Sequence, residues 1–265
     1  HLGYVRHHLI DFGDSLGASG ERDKYQSEGY EGEFDWAAMG GRLFGFGLRY
    51  QDWLRLRRAP YPSVGIFEAD LFEPSSWRPT YPNPAFQKAT RADTFWAAAI
   101  LAHLDRTAIT AAVAAAHYSD ARAARLIIDV LLARRVKVLR HAFAGILPLA
   151  DPSVRGLRVA MTDLAVAAGL PGPAGPPRYR FSVRWNRTAR GDCELERGER
   201  GGPALDLGPS VASARRRFGA AFAADPFVTV TWQRMRGDGP GPRVELHLRV
   251  QSEHLIPVAV WREGE

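Results

Sequence analysis

The chain has 265 residues, of which 46% are hydrophobic and 24% are charged, a composition typical of one large globular domain or two small ones. The net charge is +6, but only three of the 35 basic residues are lysines, and the arginines are scattered along the chain. This pattern indicates a high-GC genome and argues against nucleic-acid binding, which normally requires a concentrated basic face.

Membrane spans and disulfides are also excluded. The longest apolar run, residues 95–102, is far shorter than the roughly 20 residues that cross a membrane, so we predict no transmembrane segment. Cys193 is the only cysteine, so no intrachain disulfide forms. The cysteine content therefore does not indicate the cellular compartment of the protein. The chain begins with His1 and not with Met, and we expect it to be part of a longer protein.

The first predicted element is a strand over residues 4–10 that ends in a glycine turn. The turn has the sequence Asp11-Phe12-Gly13-Asp14-Ser15-Leu16-Gly17, and its two glycines permit unusual backbone angles. The next region, residues 18–92, contains six prolines, which exclude long helices. Because it is also rich in aromatic residues, we predict an ordered loop with short helices near 34–43 and 50–56.

The third region, residues 93–147, is predicted to be helical. Three helices are expected over 93–104, 108–116 and 119–143, with Asp93-Thr94 and Ser119 as N-caps. Three tryptophans of the second and third regions are interpreted as core anchors: Trp53, Trp77 and Trp96.

The fourth region, residues 152–265, is predicted to be entirely β. Apolar and polar residues alternate over 179–185, 228–232 and 244–250, and further strands are expected over 157–161 and 255–261. The alternation places the aromatics of the first of these strands on the buried face, which argues against an aromatic carbohydrate-binding platform on the sheet. Arg178, Arg180 and Arg184 fall on the opposite face, which we interpret as solvated.

The sequence therefore predicts an α+β protein with two domains. Residues 1–150 form a strand, a long loop and helices, and residues 152–265 form a small antiparallel β-sandwich.

The glycine turn allows two chemical interpretations, and the first is a metal site of a phosphotransferase. An aspartate after a strand, in Asp11-Phe12-Gly13, can bind magnesium at nucleotide phosphates. Residues 5–143 resemble the C-terminal part of atypical bacterial kinase-like proteins related to the spore-coat kinases. The segments that carry the resemblance are residues 6–17, Trp77-x-Pro79-x-Tyr81-Pro82-Asn83-Pro84-Ala85-Phe86, and Tyr118-Ser119-Asp120 ahead of Arg134-Arg135.

This resemblance implies a kinase C-lobe-like fold for residues 1–150 and a parent protein that uses Mg²⁺ and ATP. Asp11 would be the metal ligand and a catalytic residue, Gly13 the turn residue, and Asp14 a second, weaker acidic contact at the cofactor. Kinase catalysis also needs a nucleotide-binding lysine and a catalytic aspartate with an asparagine, all upstream of this motif. We therefore expect a missing upstream lobe and a chain that is inactive alone; its substrate is not predicted.

The second interpretation is a serine hydrolase. Gly13-Asp14-Ser15-Leu16 resembles the nucleophile block of GDSL hydrolases, which implies Ser15 as the nucleophile. No downstream histidine has an aspartate three residues before it, so the Asp-x-x-His pair of that family is absent. The family also alternates strands and helices, whereas here they are segregated.

A third interpretation assigns the turn no chemistry. Aspartates that flank glycine commonly cap backbone amides in turns, and Asp11 and Asp14 would then be structural. The protein would be a non-catalytic binding or structural protein that carries a β-sandwich module.

Overall fold

The computed structural model describes residues 15–19, 22–32, 36–45, 51–170, 172, 177–185, 193–236 and 239–264. These residues form two compact units. The helical unit is drawn from His1–Lys88 and Leu104–His141, and the sheet unit from Ala89–His103 and Ala142–Glu265. The predicted domain boundary near residue 150 stays a prediction.

Seven helices and ten strands are described. The helices are α1 (Trp36–Phe44), α2 (Pro84–Gln87), α3 (Arg91–Ala102), α4 (Arg106–Ala115), α5 (Ala121–Ala142), α6 (Leu164–Ala167) and α7 (Gly208–Ala224), with a 3₁₀ turn at Asp52–Arg55. The strands are β1 (Ala18–Ser19), β2 (Arg22–Asp23), β3 (Leu149–Arg155), β4 (Arg158–Asp163), β5 (Tyr179–Trp185), β6 (Glu194–Arg200), β7 (Ala204–Asp206), β8 (Phe227–Arg236), β9 (Gly239–Gln251) and β10 (His254–Arg262).

The core of the helical unit lies between α4, α5 and the loop that carries residues 64–67. Residues spaced by three or four positions give both helices an apolar face, and that face packs on two side chains of the loop, Val64 and Phe67. The helices begin at aspartate N-caps: Asp105 accepts from the amide of Ala108 at 2.8 Å, and Asp120 from that of Arg122 at 2.8 Å. The two predicted helices are confirmed, but Asp120 caps α5 in the position predicted for Ser119.

The first predicted helix, α3, lies in the sheet unit. Thr90 and Asp93 form a capping box at its start, so the cap precedes the predicted one by three residues. The centre of the Phe95 ring lies 6.0 Å from that of the Phe143 ring. The guanidinium of Arg262, near the end of the chain, lies 4.2 Å from the centre of the Phe95 ring. Among the described helices, none alone is long and apolar enough to cross a membrane; α3 and α4 meet such a test only when taken together.

The sheet unit contains two antiparallel sheets that share one apolar core. The larger sheet has the strand order β10-β9-β8-β5-β6, and the smaller one has the order β3-β4-β7. In the larger sheet Phe181 pairs with Trp232 and Val230 pairs with Leu246, so alternate residues of each strand point into the core. The five strands predicted in this unit and the buried face of the alternating ones are confirmed, whereas the strand predicted over 4–10 lies outside the described residues. The protein has the predicted α+β fold with a sandwich-like sheet region.

The prediction that residues 152–265 are entirely β is wrong at the short helix α6 and at the long helix α7. Helix α7 is part of the core. Pro209 stands in the first turn of this helix, where its missing amide costs no hydrogen bond. Val211, Ala214 and Phe222 are buried in the core shared by the two sheets. Gly219, with φ +46°, interrupts the helical backbone, and this break together with three consecutive arginines obscured the helical periodicity in the sequence.

The charged sequence of strand β6 lacks the apolar alternation that predicts a strand. The strand forms the edge of the larger sheet, where charged side chains face water. Glu199 on this strand lies 3.1 Å from Arg178 and 3.7 Å from Arg180. These arginines therefore belong to a solvated, ion-paired sheet face, as predicted.

One polar cluster is buried in the sheet unit. The hydroxyl of Tyr179 donates to the carboxylate of Asp163, which also accepts from the amides of Ala165 and Val166 as the N-cap of α6. Arg234 lies 3.6 Å from the same carboxylate. Burial, followed by the hydrogen bond to Asp163, raises the pKa of Tyr179.

This cluster predicts a loss of stability in alkaline solution. The unfolded chain releases the Tyr179 proton above about pH 10, whereas the folded protein retains it. The contribution to stability is therefore complete below about pH 10 and falls as the pH rises further. Replacing Tyr179 by Phe should cost about 1–3 kcal/mol at pH 7, and the difference from the parent should shrink above pH 10.

Urea unfolding at about pH 7, 9, 10 and 11, values that bracket the usual pKa of tyrosine, measures this effect. Tyr81, which is exposed, provides the control, and Tyr81→Phe should change stability by less than about 0.5 kcal/mol. A difference between Tyr179→Phe and the parent that is constant over this pH range would contradict the assignment.

Candidate functional site

Of the predicted site residues, the structure describes only Ser15. Asp11, Gly13 and Asp14 lie outside the described residues. Ser15 is exposed at the start of a tight turn, where its carbonyl accepts from the amide of Ala18 at 3.0 Å. Neither its role as a nucleophile nor the role of Asp11 as a metal ligand is tested by this geometry, and both stay predictions.

Within the described part of the chain, no group of three or more His, Cys, Asp or Glu side chains could hold a metal ion. Two of the described histidines have partners in the sheet unit: His103 lies 3.3 Å from Asp151, and His247 hydrogen-bonds Thr229 at 2.9 Å.

The turn that follows the Asp-Phe-Gly sequence is held by close backbone packing. Gly17 is buried and has φ +93°, a conformation that glycine adopts without strain. Its carbonyl accepts from the amide of Lys24 at 3.1 Å. A Cβ at Gly65 would overlap the carbonyl oxygen of Gly17, so both positions require glycine. The turn is therefore fixed against the loop that carries Gly65.

A partly buried ion pair fixes the same loop to α5. The carboxylate of Glu68 accepts from the Tyr30 hydroxyl at 2.7 Å and from the Leu71 amide at 2.8 Å, and it lies 3.7 Å from Arg134. The Nε of Arg134 also donates to the Glu68 carbonyl at 2.6 Å. The side chains of Arg134 and Glu68 are only 19% and 23% exposed.

Aromatic rings complete the surroundings of this arginine. The guanidinium of Arg134 lies 4.5 Å from the centres of the Phe67 and Phe72 rings, a favourable cation–π arrangement. Lys137, on the next turn of α5, donates to the carbonyls of Asp70 and Phe72 at 3.0 and 2.9 Å. Two basic side chains of one helix thus hold residues 67–72.

Burial shifts the pKa values of three groups around Glu68. It raises the pKa of Tyr30, with a further contribution from the hydrogen bond to Glu68. It lowers the pKa of Lys24, with a further contribution from Arg134, and it lowers the pKa of Arg134 itself. Such shifts occur in active sites and in structural ion-pair networks. Because each of these groups has a partner within the protein, we interpret the cluster as structural.

The helical unit also has an open pocket with a volume of about 400 Å³. Its walls include the rings of Trp36, Trp77 and Phe86, which are 75%, 42% and 60% exposed. The prediction that Trp77 and Trp96 are core anchors is wrong, since Trp96 is 67% exposed; Trp53 is half-buried. Aromatic content alone did not separate buried rings from these exposed ones.

Comparisons with known proteins found no match: no protein-family model, no curated protein and no solved structure is similar to the chain.

The partly buried pair predicts unequal effects for two arginines. Arg134→Ala removes the cation that pairs with the Glu68 carboxylate and the hydrogen bond to the Glu68 carbonyl, and it should cost about 3 kcal/mol. Arg106, which pairs with Asp129 at 3.3 Å with both side chains more than 60% exposed, is the matched control. Arg106→Ala should cost at most about 1 kcal/mol. Urea unfolding monitored by circular dichroism measures the free energy of unfolding of both variants. Equal losses would show that the ion pair of Arg134 stabilises the protein no more than an exposed pair does.

The packing of the turn predicts opposite effects for two glycines. Gly65→Ala should destabilise the protein by about 1–3 kcal/mol, because the added methyl group overlaps the Gly17 backbone. A Cβ at Gly40, inside α1, would meet nothing within 4 Å, so Gly40→Ala should stabilise the helix by about 0.5–1 kcal/mol. The same unfolding experiment compares the two, and a neutral Gly65→Ala would refute the close packing.

Proposed function

We propose that this chain is the C-terminal part of a metal- and ATP-dependent phosphotransferase and is inactive on its own. The observation that carries the proposal is the position of the Asp-Phe-Gly sequence. It directly precedes a turn whose backbone is fixed by the contact between Gly17 and Gly65. Catalytic groups need such fixed support, because small displacements of a catalytic group reduce the rate strongly.

A second observation supports a missing part of the protein. On α1, Met39, Leu43 and Phe44 are 48%, 74% and 82% exposed. Large exposed apolar side chains on one short helix mark an interaction surface. An upstream lobe that packs on this helix would cover them.

The proposed chemistry depends on few residues of this chain. When bound, Mg²⁺ neutralises charge on the nucleotide phosphates. The carboxylate of Asp11 would hold the metal ion, since hard cations prefer oxygen ligands. Asp14 would be a weaker acidic contact and Gly13 would allow the chain to turn. The described part of the helical unit would position this segment through Gly65 and the Glu68 cluster.

Two alternatives remain as hypotheses. The hypothesis of a serine esterase has no support beyond the Gly-Asp-Ser-Leu sequence. If this hypothesis is correct, Ser15→Ala should abolish ester hydrolysis. A non-catalytic binding protein has one observation in its favour, the pocket lined by exposed aromatic rings.

The phosphotransferase proposal is tested on the protein expressed from its complete coding region. Transfer of radioactive phosphate from labelled ATP should require Mg²⁺, and Asp11→Ala should reduce the rate by more than about 100-fold, the scale expected when an electrostatic stabiliser of the transition state is lost. Asp52→Ala, at an exposed aspartate, is the control and should leave the rate unchanged. The present chain alone should show no transfer.

Circular dichroism establishes whether Asp11→Ala is folded. A folded Asp11→Ala protein that keeps full activity would reject the metal-ligand role of this residue. Absence of nucleotide-dependent transfer in the complete protein would reject the proposal as a whole.

A further inference from the structure

We infer that the pocket between Trp36, Trp77 and Phe86 binds a neutral oligosaccharide. This inference does not depend on the phosphotransferase proposal, because binding at the pocket requires neither nucleotide nor metal. The pocket volume of about 400 Å³ lies within the range of roughly 300–1,000 Å³ typical of small-ligand sites.

The aromatic rings provide the apolar walls of the site. The Trp77 and Phe86 rings meet nearly edge to face, with centroids 5.6 Å apart and an interplanar angle of 64°. The Trp36 ring is 75% exposed and lines the same space. Exposed aromatic faces lose unfavourable contact with water when an apolar surface stacks on them. The C–H faces of pyranose rings provide such a surface.

Three of the remaining lining residues carry uncharged polar side chains. Thr80, Asn83 and Gln87 contribute a hydroxyl and two amides, which can both donate to and accept from sugar hydroxyl groups. Asn83 uses its Oδ1 to cap α2, accepting from the Ala85 amide at 2.9 Å, so its NH₂ group is left to donate. The site thus combines stacking surfaces with the hydrogen-bonding groups that a saccharide needs.

The pocket is held in shape by its own backbone. The amide of Trp77 donates to the Glu73 carbonyl at 3.0 Å, and the amide of Arg78 donates to the Gly29 carbonyl at 3.1 Å. A Cβ at Gly29, which has φ +90°, would lie 3.0 Å from the Trp77 indole nitrogen, so glycine allows the ring to pack there. Prolines at 79, 82 and 84 restrict the backbone further. A pre-formed site loses little conformational entropy on binding.

The charges of the pocket disfavour other ligands. Among its described lining residues, Arg78 is the only charged one, and none carries a carboxylate. A nucleotide would need more cationic groups for its phosphates, and a lipid chain would leave the amides of Asn83 and Gln87 without partners. A proline-rich peptide also stacks on aromatic rings, and it is therefore included as a competitor in the test.

The test is a binding titration of the full chain with cellohexaose, maltohexaose, xylohexaose and hexa-N-acetylchitohexaose. Isothermal titration calorimetry and ligand-observed NMR are the measurements. At least one oligosaccharide should bind with a Kd below about 1 mM. Trp36→Ala and Phe86→Ala should each weaken binding about tenfold; both side chains are mostly exposed, so both variants should fold.

Trp96→Ala is the matched control, since this tryptophan is also exposed but does not line the pocket. It should leave the affinity unchanged. The inference is overturned if no oligosaccharide binds, if Trp96→Ala weakens binding as much as the pocket variants do, or if a proline decamer or ATP binds at these residues and the saccharides do not.

Discussion

The described part of the helical unit depends on the contact between Arg134 and Glu68. The loop over residues 51–88 contains little regular secondary structure, so its backbone carbonyls need partners from elsewhere. Arg134 and Lys137 supply them at Glu68, Asp70 and Phe72. The ion pair with the Glu68 side chain and the flanking aromatic rings compensate for burying the guanidinium. Because the loop is held in this way, the turn at Gly17 and the pocket at Trp77 can each keep a defined geometry.

The sheet unit contains a similar cluster of a tyrosine, an acidic residue and an arginine. In both units a tyrosine hydroxyl donates to a carboxylate that also faces an arginine: Tyr30, Glu68 and Arg134 in one, and Tyr179, Asp163 and Arg234 in the other. Buried charges are tolerated where hydrogen bonds and a counter-charge surround them. In the helical unit the cluster joins an irregular loop to α5, and in the sheet unit it joins a strand of the smaller sheet to two strands of the larger one.

The two functional proposals concern different parts of the same long loop and its flanks. The Asp-Phe-Gly sequence precedes the fixed turn, and the aromatic pocket lies further along the chain. Binding and catalytic groups are commonly placed on loops that a rigid scaffold positions. In the described part of the helical unit α5 provides such a scaffold, because its basic residues Arg134 and Lys137 hold residues 68–72 of the loop.

Periodicity in the sequence was enough to predict the strands β5, β8, β9 and β10, the helices α3 to α5, and the α+β class. It also determined that Tyr179 and Phe181 face the core. Local patterns could not predict α7, whose periodicity is broken at Gly219, or β6, whose charged residues suit an edge strand. Folding alone brings Glu68 to Arg134, 66 positions away in sequence, and leaves Trp77 exposed. The physical reason is that burial and ion pairing depend on which segments meet, whereas periodicity depends only on neighbours in the chain.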